Sequence, residues 1–180
     1  WQLNFNHGGD FIADAVIFAS GSSAPIWEIL QQLGHTIINP LPSLFTFHIK
    51  DKRIDELMGV SVPDVICKID GEKIKSNGPL LITHWGLSGP AVLRCSAWGA
   101  RILYEKKYAS LLTINWLGDY KPDAALEVLQ RSKDWHENAR KKVSTTSAFS
   151  QIPIRLWKQL TDFIGEKNWS DVSKAELRKL

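Results

Sequence analysis

Up to about residue 118 the apolar positions recur mostly in steps of two, and beyond it almost entirely in steps of three and four. The first period is that of a half-buried strand, the second that of an amphipathic helix. Residues 11–19 are an apolar run interrupted by Asp14, which predicts a buried strand ending at the small-residue turn Ser20-Gly21-Ser22-Ser23. Ile26, Trp27, Ile29, Leu30 and Leu33 then fall on one helical face, and Gly34 stops that helix. Residues 36–50 read as strand material broken by Pro40 and Pro42, with Phe45, Phe47 and Ile49 alternating against Thr46, His48 and Lys50. Residues 60–69 predict a further strand, Asp70-Gly71 a hairpin turn, and Asn77-Gly78 a second turn ahead of a strand over 80–83. A helix is predicted from Ser88 to about Tyr104, burying Val92, Leu93, Ala97 and Ala100, with a returning strand over 111–117.

Composition shifts at Gly118-Asp119-Tyr120-Lys121-Pro122. Pro122 and Asp123 open an amphipathic helix carrying Ala125, Leu126, Val128 and Leu129. Residues 144–150, rich in Ser and Thr, read as a linker to a helical stretch over 153–164 with Leu156, Trp157, Leu160 and Phe163 on one face. Ser173-Lys174-Ala175-Glu176 is a capping-box signature for a last helix. The fold class that results is α+β: a small antiparallel β-barrel-like domain with an embedded helix, followed by an all-helical subdomain. The boundaries are set at 23–118 and 119–180.

With 180 residues, 44% of them hydrophobic, the chain can bury one good core or two small ones. The formal charge is +3, and 22 basic residues are interleaved with 19 acidic ones, a balance that gives little support to a nucleic-acid partner. Arg131, Lys133 and Arg140-Lys141-Lys142 could meet phosphates, but Asp134 and Glu137 sit among them, so a solvated helix face is the expected reading. No apolar run reaches the roughly 18 residues of a membrane helix. Cys67 and Cys95 are too isolated for a disulfide framework or a zinc site, so reduced thiols and a cytoplasmic location are expected. His35, His48 and His136 lack Asp, Glu or Cys partners at ligand spacing, so no metal is expected. Eight tryptophans fall mostly at apolar-periodic positions and read as core or interface anchors.

Candidate chemistry concentrates in residues 78–93, where an apolar strand runs into Thr83-His84, then a glycine-bounded turn, then a helix with a proline in its first turn. Ser88 is expected to cap that helix, Gly89 to permit close backbone approach, and Pro90 to occupy a position where its missing N–H costs nothing. His84 can give or take a proton near neutral pH, or it can tie a strand end to a carbonyl. Thr83 and Ser88 can hydrogen-bond a ligand carbonyl or serve as caps. Trp85 can stack on a bound ring.

The wording from Leu81 to Ala91 resembles the Thr-His-x-Gly-x-Ser-Gly-Pro signature of a family of bacterial FAD-dependent proteins, described as NAD(FAD)-utilising dehydrogenases, aminoacetone-oxidase-like or BaiN-like flavoproteins. Three other stretches are similar in the same order. They are Ala13 to Gly21, Leu33 to Leu44 with its Leu-Gly-His-x-Ile wording, and Met58-Gly59-Val60-Ser61-Val62-Pro63. The resemblance implies that residues 1–22 are a stub of an FAD-binding domain and that the rest is the middle, inserted region of a flavoprotein. No Gly-x-Gly-x-x-Gly phosphate loop occurs in the sequence, and Met58 is its only methionine, so an excised domain is expected.

On this resemblance His84, Thr83 and Ser88 are the candidate catalytic residues. Ala19, Ser20, Gly21, Gly86 and Gly89 are the candidate cofactor-lining ones. FAD is expected in the full-length protein and not bound to this piece alone, with the FAD-binding domain of the same polypeptide as partner and an unidentified small molecule as substrate. Two functions stay open: a substrate-side domain of an FAD-dependent oxidoreductase that covers the flavin and shapes the pocket, or a non-catalytic barrel-plus-helix module that binds RNA or a protein.

Overall fold

The structure, a computed structural model, describes all residues 1–180 and divides into two compact units, Trp1–Pro40 and Leu41–Leu180. The first unit holds an antiparallel hairpin of β1 (Gln2–Phe5) and β2 (Gly9–Ile12), followed by helix α1 (Ala24–Gln32). The buried strand expected over 11–19 is not formed. Pairing runs only to Ala13, which exchanges backbone hydrogen bonds with Trp1, and β2 pairs only with β1, so the apolar run has no second sheet neighbour in this unit. Ile12 and Ile17 lie exposed.

The second unit is built on a five-stranded antiparallel sheet in the order β3-β6-β5-β4-β7, comprising β3 (Phe47–His48), β4 (Ser61–Ile69), β5 (Lys75–Thr83), β6 (Gly86–Ser88) and β7 (Leu112–Asn115). The sheet curls into a half-barrel around Val62, Val65, Cys67, Ile69, Leu80, Ile82 and Leu87. In β4 the buried positions step from Val62 to Val65 rather than by two. Facing residues on β5 step only from Leu80 to Gly78, so Pro63 and Asp64 accommodate one extra residue in a bulge. A proline that cannot donate to the ladder suits that position. Asn77-Gly78, expected as a turn, is instead the β5 side of this bulge. Gly78 has φ +126°, and a Cβ there would lie 2.6 Å from Arg94 Nη2.

Helix α2 (Pro90–Trp98) is the embedded helix, and α3 (Ala100–Glu105) follows it after a break at Gly99. The face laid on the sheet is Ala91, Val92, Cys95 and Ser96, one step round from the face the sequence suggests. Gly99 is a close contact: a Cβ there would lie 2.4 Å from Ile69 Cδ1 and 3.0 Å from the Cys95 carbonyl, so a larger residue would require the Ile69 side chain to shift. Ser76 Oγ donates to the Ala91 carbonyl, and Ser96 Oγ accepts from Phe45 N–H at 2.9 Å, fixing the helix to β5 and to the chain entering β3. Cys67 and Cys95 face each other in this layer as free, buried thiols. The Cys95 thiol and then burial push the Cys67 thiol well above its ordinary range.

Helix α4 (Pro122–Asp134) leads into two consecutive tight turns over residues 135–141, closed by Asn138 N–H to the Trp135 carbonyl and Lys141 N–H to the Asn138 carbonyl. A 3-10 turn (Val143–Thr145), α5 (Ile154–Leu160), 3-10 turns at Asp162–Ile164 and Trp169–Asp171, and α6 (Lys174–Leu177) complete the unit. Their core is Leu129, Val143, Phe149, Ile152, Leu156, Trp157, Ile164, Trp169, Val172 and Leu177. Trp157 and Trp169 stack with ring centres 6.3 Å apart, and their buried indole N–H groups donate to the Val143 carbonyl at 2.6 Å and the Thr146 carbonyl at 3.2 Å. Residues 144–150, expected as an open linker, are therefore part of this core at Ser144 and Phe149. Arg155 Nη2 donates to the Glu56 carbonyl at 2.6 Å, joining the helices to the half-barrel within the one unit.

Candidate functional site

Residues 83–86 form the tip of the β5–β6 hairpin, with Thr83 paired to Gly86 and His84-Trp85 as the connecting pair. Thr83 Oγ1 closes the turn from inside. It donates to the Gly86 carbonyl at 3.3 Å and accepts from Trp85 N–H at 3.4 Å, the local hydroxyl bonding that favours Thr in turns. Gly86 has φ +145°, and a Cβ there would lie 2.4 Å from both Ile49 N and Phe47 O. The missing side chain is thus used by the chain's own backbone, which brings β3 against β6. Gly89, at φ +96°, is crowded in the same way by the Pro79 carbonyl at 2.8 Å.

The junction expected to run from strand directly into helix therefore contains an extra short strand. Ser88 lies in that strand and does not cap α2. The N-cap is Gly89, which has no side chain, while Ser88 Oγ accepts from Thr46 Oγ1 at 3.3 Å. Pro90 is the first residue of α2, as its chemistry requires.

What the hairpin presents outward is His84 and Trp85. Their rings lie 3.8 Å apart at 39°, and Trp85 is 59% exposed. His84, Thr83 and Gly86 line one wall of a depression of about 240 Å³ whose other residues include Asp55, Glu56 and Met58. An imidazole with two open nitrogens beside an exposed indole can exchange a proton with a ring stacked on that indole.

Ala19, Ser20 and Gly21 lie in the irregular segment of the first unit, exposed, and a Cβ on Gly21 would meet nothing within 4 Å. Nothing in that unit encloses a ring or a pyrophosphate at these residues. Ala19, Ser20 and Gly21 alone therefore form no cradle for a flavin.

A second surface joins Arg140 and Lys141, weighed in the sequence only as a solvated helix face, to Trp135 and His136. The two turns after α4 expose Trp135 (57%), His136, Arg140 and Lys141 within seven residues. Neighbouring cations are engaged: Arg131 pairs with Glu127, Lys142 with Glu166, and Lys133 Nζ donates to the Val172 carbonyl. Arg140 makes no ion pair, and Lys141 reaches only Asn138 Oδ1 at 3.5 Å. The turns are held rigidly, because the Ala139 and Lys141 carbonyls accept from Ser170 and Trp169 N–H groups at 3.2 and 3.0 Å. The signal was present in the sequence as Trp135-His136 ahead of Arg140-Lys141, but periodicity alone assigns those residues to a helix face.

An open antiparallel half-barrel with one embedded helix, continued by a helix, two turns and further short helices, defines a barrel-plus-helix module. Residues 41–180 match the family described as HI0933-like protein barrel and H2TH domain, and the chain belongs to that family, which is associated with FAD-binding flavoproteins. The chain is 32% identical over 144 residues, 78% of its length, to the ribosomal RNA dihydrouridine synthase of Escherichia coli K12, of which the match covers 32%. It is also 40% identical over 72 residues, 39% of its length, to the ribosomal RNA dihydrouridine synthase of Haemophilus influenzae, of which the match covers 18%. The matches thus span about a third or less of these relatives. No helix is long and apolar enough to cross a membrane.

Proposed function

We propose that residues 41–180 are the substrate-side module of an FAD-dependent enzyme that reduces uridine in ribosomal RNA, and that the module's part is to hold the RNA. The observation that carries this reading is the 32% identity over 78% of the chain to a relative named as a ribosomal RNA dihydrouridine synthase. The exposed Trp135, Arg140 and Lys141 support it, since single-stranded RNA is held by cations on phosphates and aromatic faces on bases. The mild net charge does not oppose it, because binding depends on where unpaired cations cluster rather than on the total. The two functions left open by the sequence thereby become one, an RNA-binding module within a flavoenzyme.

Saturating the 5,6 double bond of uracil adds a hydride and a proton. Hydride chemistry belongs to the cofactor, which this reading assigns to the remainder of the polypeptide. His84 is proposed as the group that moves the proton, and Trp85 as the surface on which the base rests. Thr83 and Gly86 keep that tip in shape, and Ser88 braces it through Thr46.

The test is the dihydrouridine content of ribosomal RNA from cells lacking the whole gene, read by mass spectrometry of nuclease digests. Loss of one or more dihydrouridines, restored by the wild-type gene, is the expected result. An unchanged ribosomal RNA contradicts the reading.

A further inference from the structure

One cleft is walled by the two open edges of the half-barrel. About 530 Å³ in volume, it is lined by His48, Ile49 and Lys50 beside β3 and by Ser110 through Ile114 along β7, with Leu87 and Leu160 among its apolar residues. β3 and β7 are the terminal strands of the sheet, so each leaves one side of its backbone without a strand partner. Every neighbouring pair in the sheet is antiparallel, which makes β3, β5 and β7 run one way and β4 and β6 the other. The two edges therefore run in the same direction. They cannot close on each other in the antiparallel pattern of the rest, whereas one further strand of opposite direction is antiparallel to both.

Two observations point to an occupant. The Ser110 hydroxyl lines the cleft and is buried without any hydrogen-bond partner, a cost that a chain lying in the cleft would remove. Leu111 beside it is 76% exposed at the start of an unpaired edge, an arrangement folded proteins normally cover. The family is described as a barrel, and a barrel has no edges. The match covers only 32% of the Escherichia coli relative, so about two thirds of that relative's length lies outside it.

We propose that a sixth strand, supplied by the part of the same polypeptide that follows residue 180 in the whole protein, inserts antiparallel to both β3 and β7 and closes the barrel. The chain enters the sheet at the β3 edge and leaves it at β7 for the helices, so a strand returning from the helices fills the gap with no crossing connection. It would alternate in character, with apolar residues toward Ile49, Leu87, Ile114 and Leu160 and polar residues outward, and present a backbone or side-chain partner to Ser110. The module would then be discontinuous in sequence, tied at its open side to whatever follows.

The test uses the full-length protein, with a photo-crosslinking benzoylphenylalanine at Leu111 or, separately, at Lys50, together with amide hydrogen exchange over Leu112–Asn115. The expected result is an intramolecular cross-link from both positions to one segment beyond residue 180. The β7 amides that β4 leaves free should also exchange about 10²-fold or more slowly than those of the exposed residues 136–137. Fast exchange at these amides overturns the proposal. So do cross-links to sequence before residue 41, cross-links to a second copy, and protection that appears only on adding RNA. None of these readouts depends on uridine reduction, so this proposal and the RNA reading fail separately.

Discussion

Substitutions at the hairpin tip separate the residues that shape it from the one assigned chemistry. Gly86→Ala must place a Cβ 2.4 Å from two backbone atoms at a φ of +145° that L-residues rarely adopt. It is expected to cost roughly 2–4 kcal/mol in urea unfolding of the full-length protein. Ser88→Ala removes a 3.3 Å hydroxyl contact with Thr46 and no helix cap, so it should cost about 0.5 kcal/mol or less. A loss near 1 kcal/mol, the scale of an N-cap, would restore the cap that the sequence suggests. His84 is exposed and its only recorded neighbour ring is Trp85, so His84→Ala should leave the melting temperature and bound flavin unchanged. Turnover should nevertheless fall by about 10²-fold, the usual scale for a lost acid or base. A lower melting temperature with unchanged turnover per folded molecule would make the histidine structural.

At the scale of elements, the last helix gives the clearest link from sequence to energetics. α6 has only four residues, so it depends on its start. Ser173 Oγ accepts from Glu176 N–H at 3.2 Å, and Glu176 Oε2 accepts from Ser173 N–H at 2.8 Å. Ser173→Ala should destabilise the protein by about 1 kcal/mol. Lys167, bonded to Glu176 at 2.6 Å, and then the Ser173 N–H hold the Glu176 carboxyl down from 4.5 to about 2. Because the folded value is depressed, this contribution is fully present above pH 4.5 and fades as pH falls toward 2. Acid unfolding of Glu176→Gln should therefore differ from wild type less at pH 2 than at pH 6, and a constant difference would contradict the assignment. This capping box was legible because its partners are three residues apart. So were the alternation of Phe45, Phe47 and Ile49 and the strand over Ser61–Ile69, each set by local period. Asn77-Gly78 was misread because a bulge and a turn use the same residues, and the choice between them is made by Pro63 on the neighbouring strand. Ser88 was misread because Ser-Gly-Pro opens a helix equally well with the cap at Ser or at Gly, and pairing with β5 decides it.

At the scale of the molecule, the two compact units meet at Pro40–Leu41, within a segment that has no regular structure from His35 to Phe45. Limited proteolysis should cut there before it cuts 144–150, where Ser144 and Phe149 are buried, or the core over 80–93. First cleavage within 144–150 would mean that the helical core is looser than its packing of Trp157 on Trp169 implies. The proposed hold of this module on RNA depends on Trp135, Arg140 and Lys141 in the two turns after α4. It is tested most directly by the affinity of the full-length protein for single-stranded ribosomal RNA fragments across a salt series, comparing wild type with Trp135→Ala and with Arg140→Glu/Lys141→Glu. Both variants should melt as wild type does and bind at least about 5-fold more weakly, since a stacked base contributes about 1–3 kcal/mol. The slope of log affinity against log salt should drop in magnitude by about 1.4 in the charge variant, as two phosphate contacts are lost. Wild-type affinity and slope in both variants would place the RNA elsewhere and contradict the account.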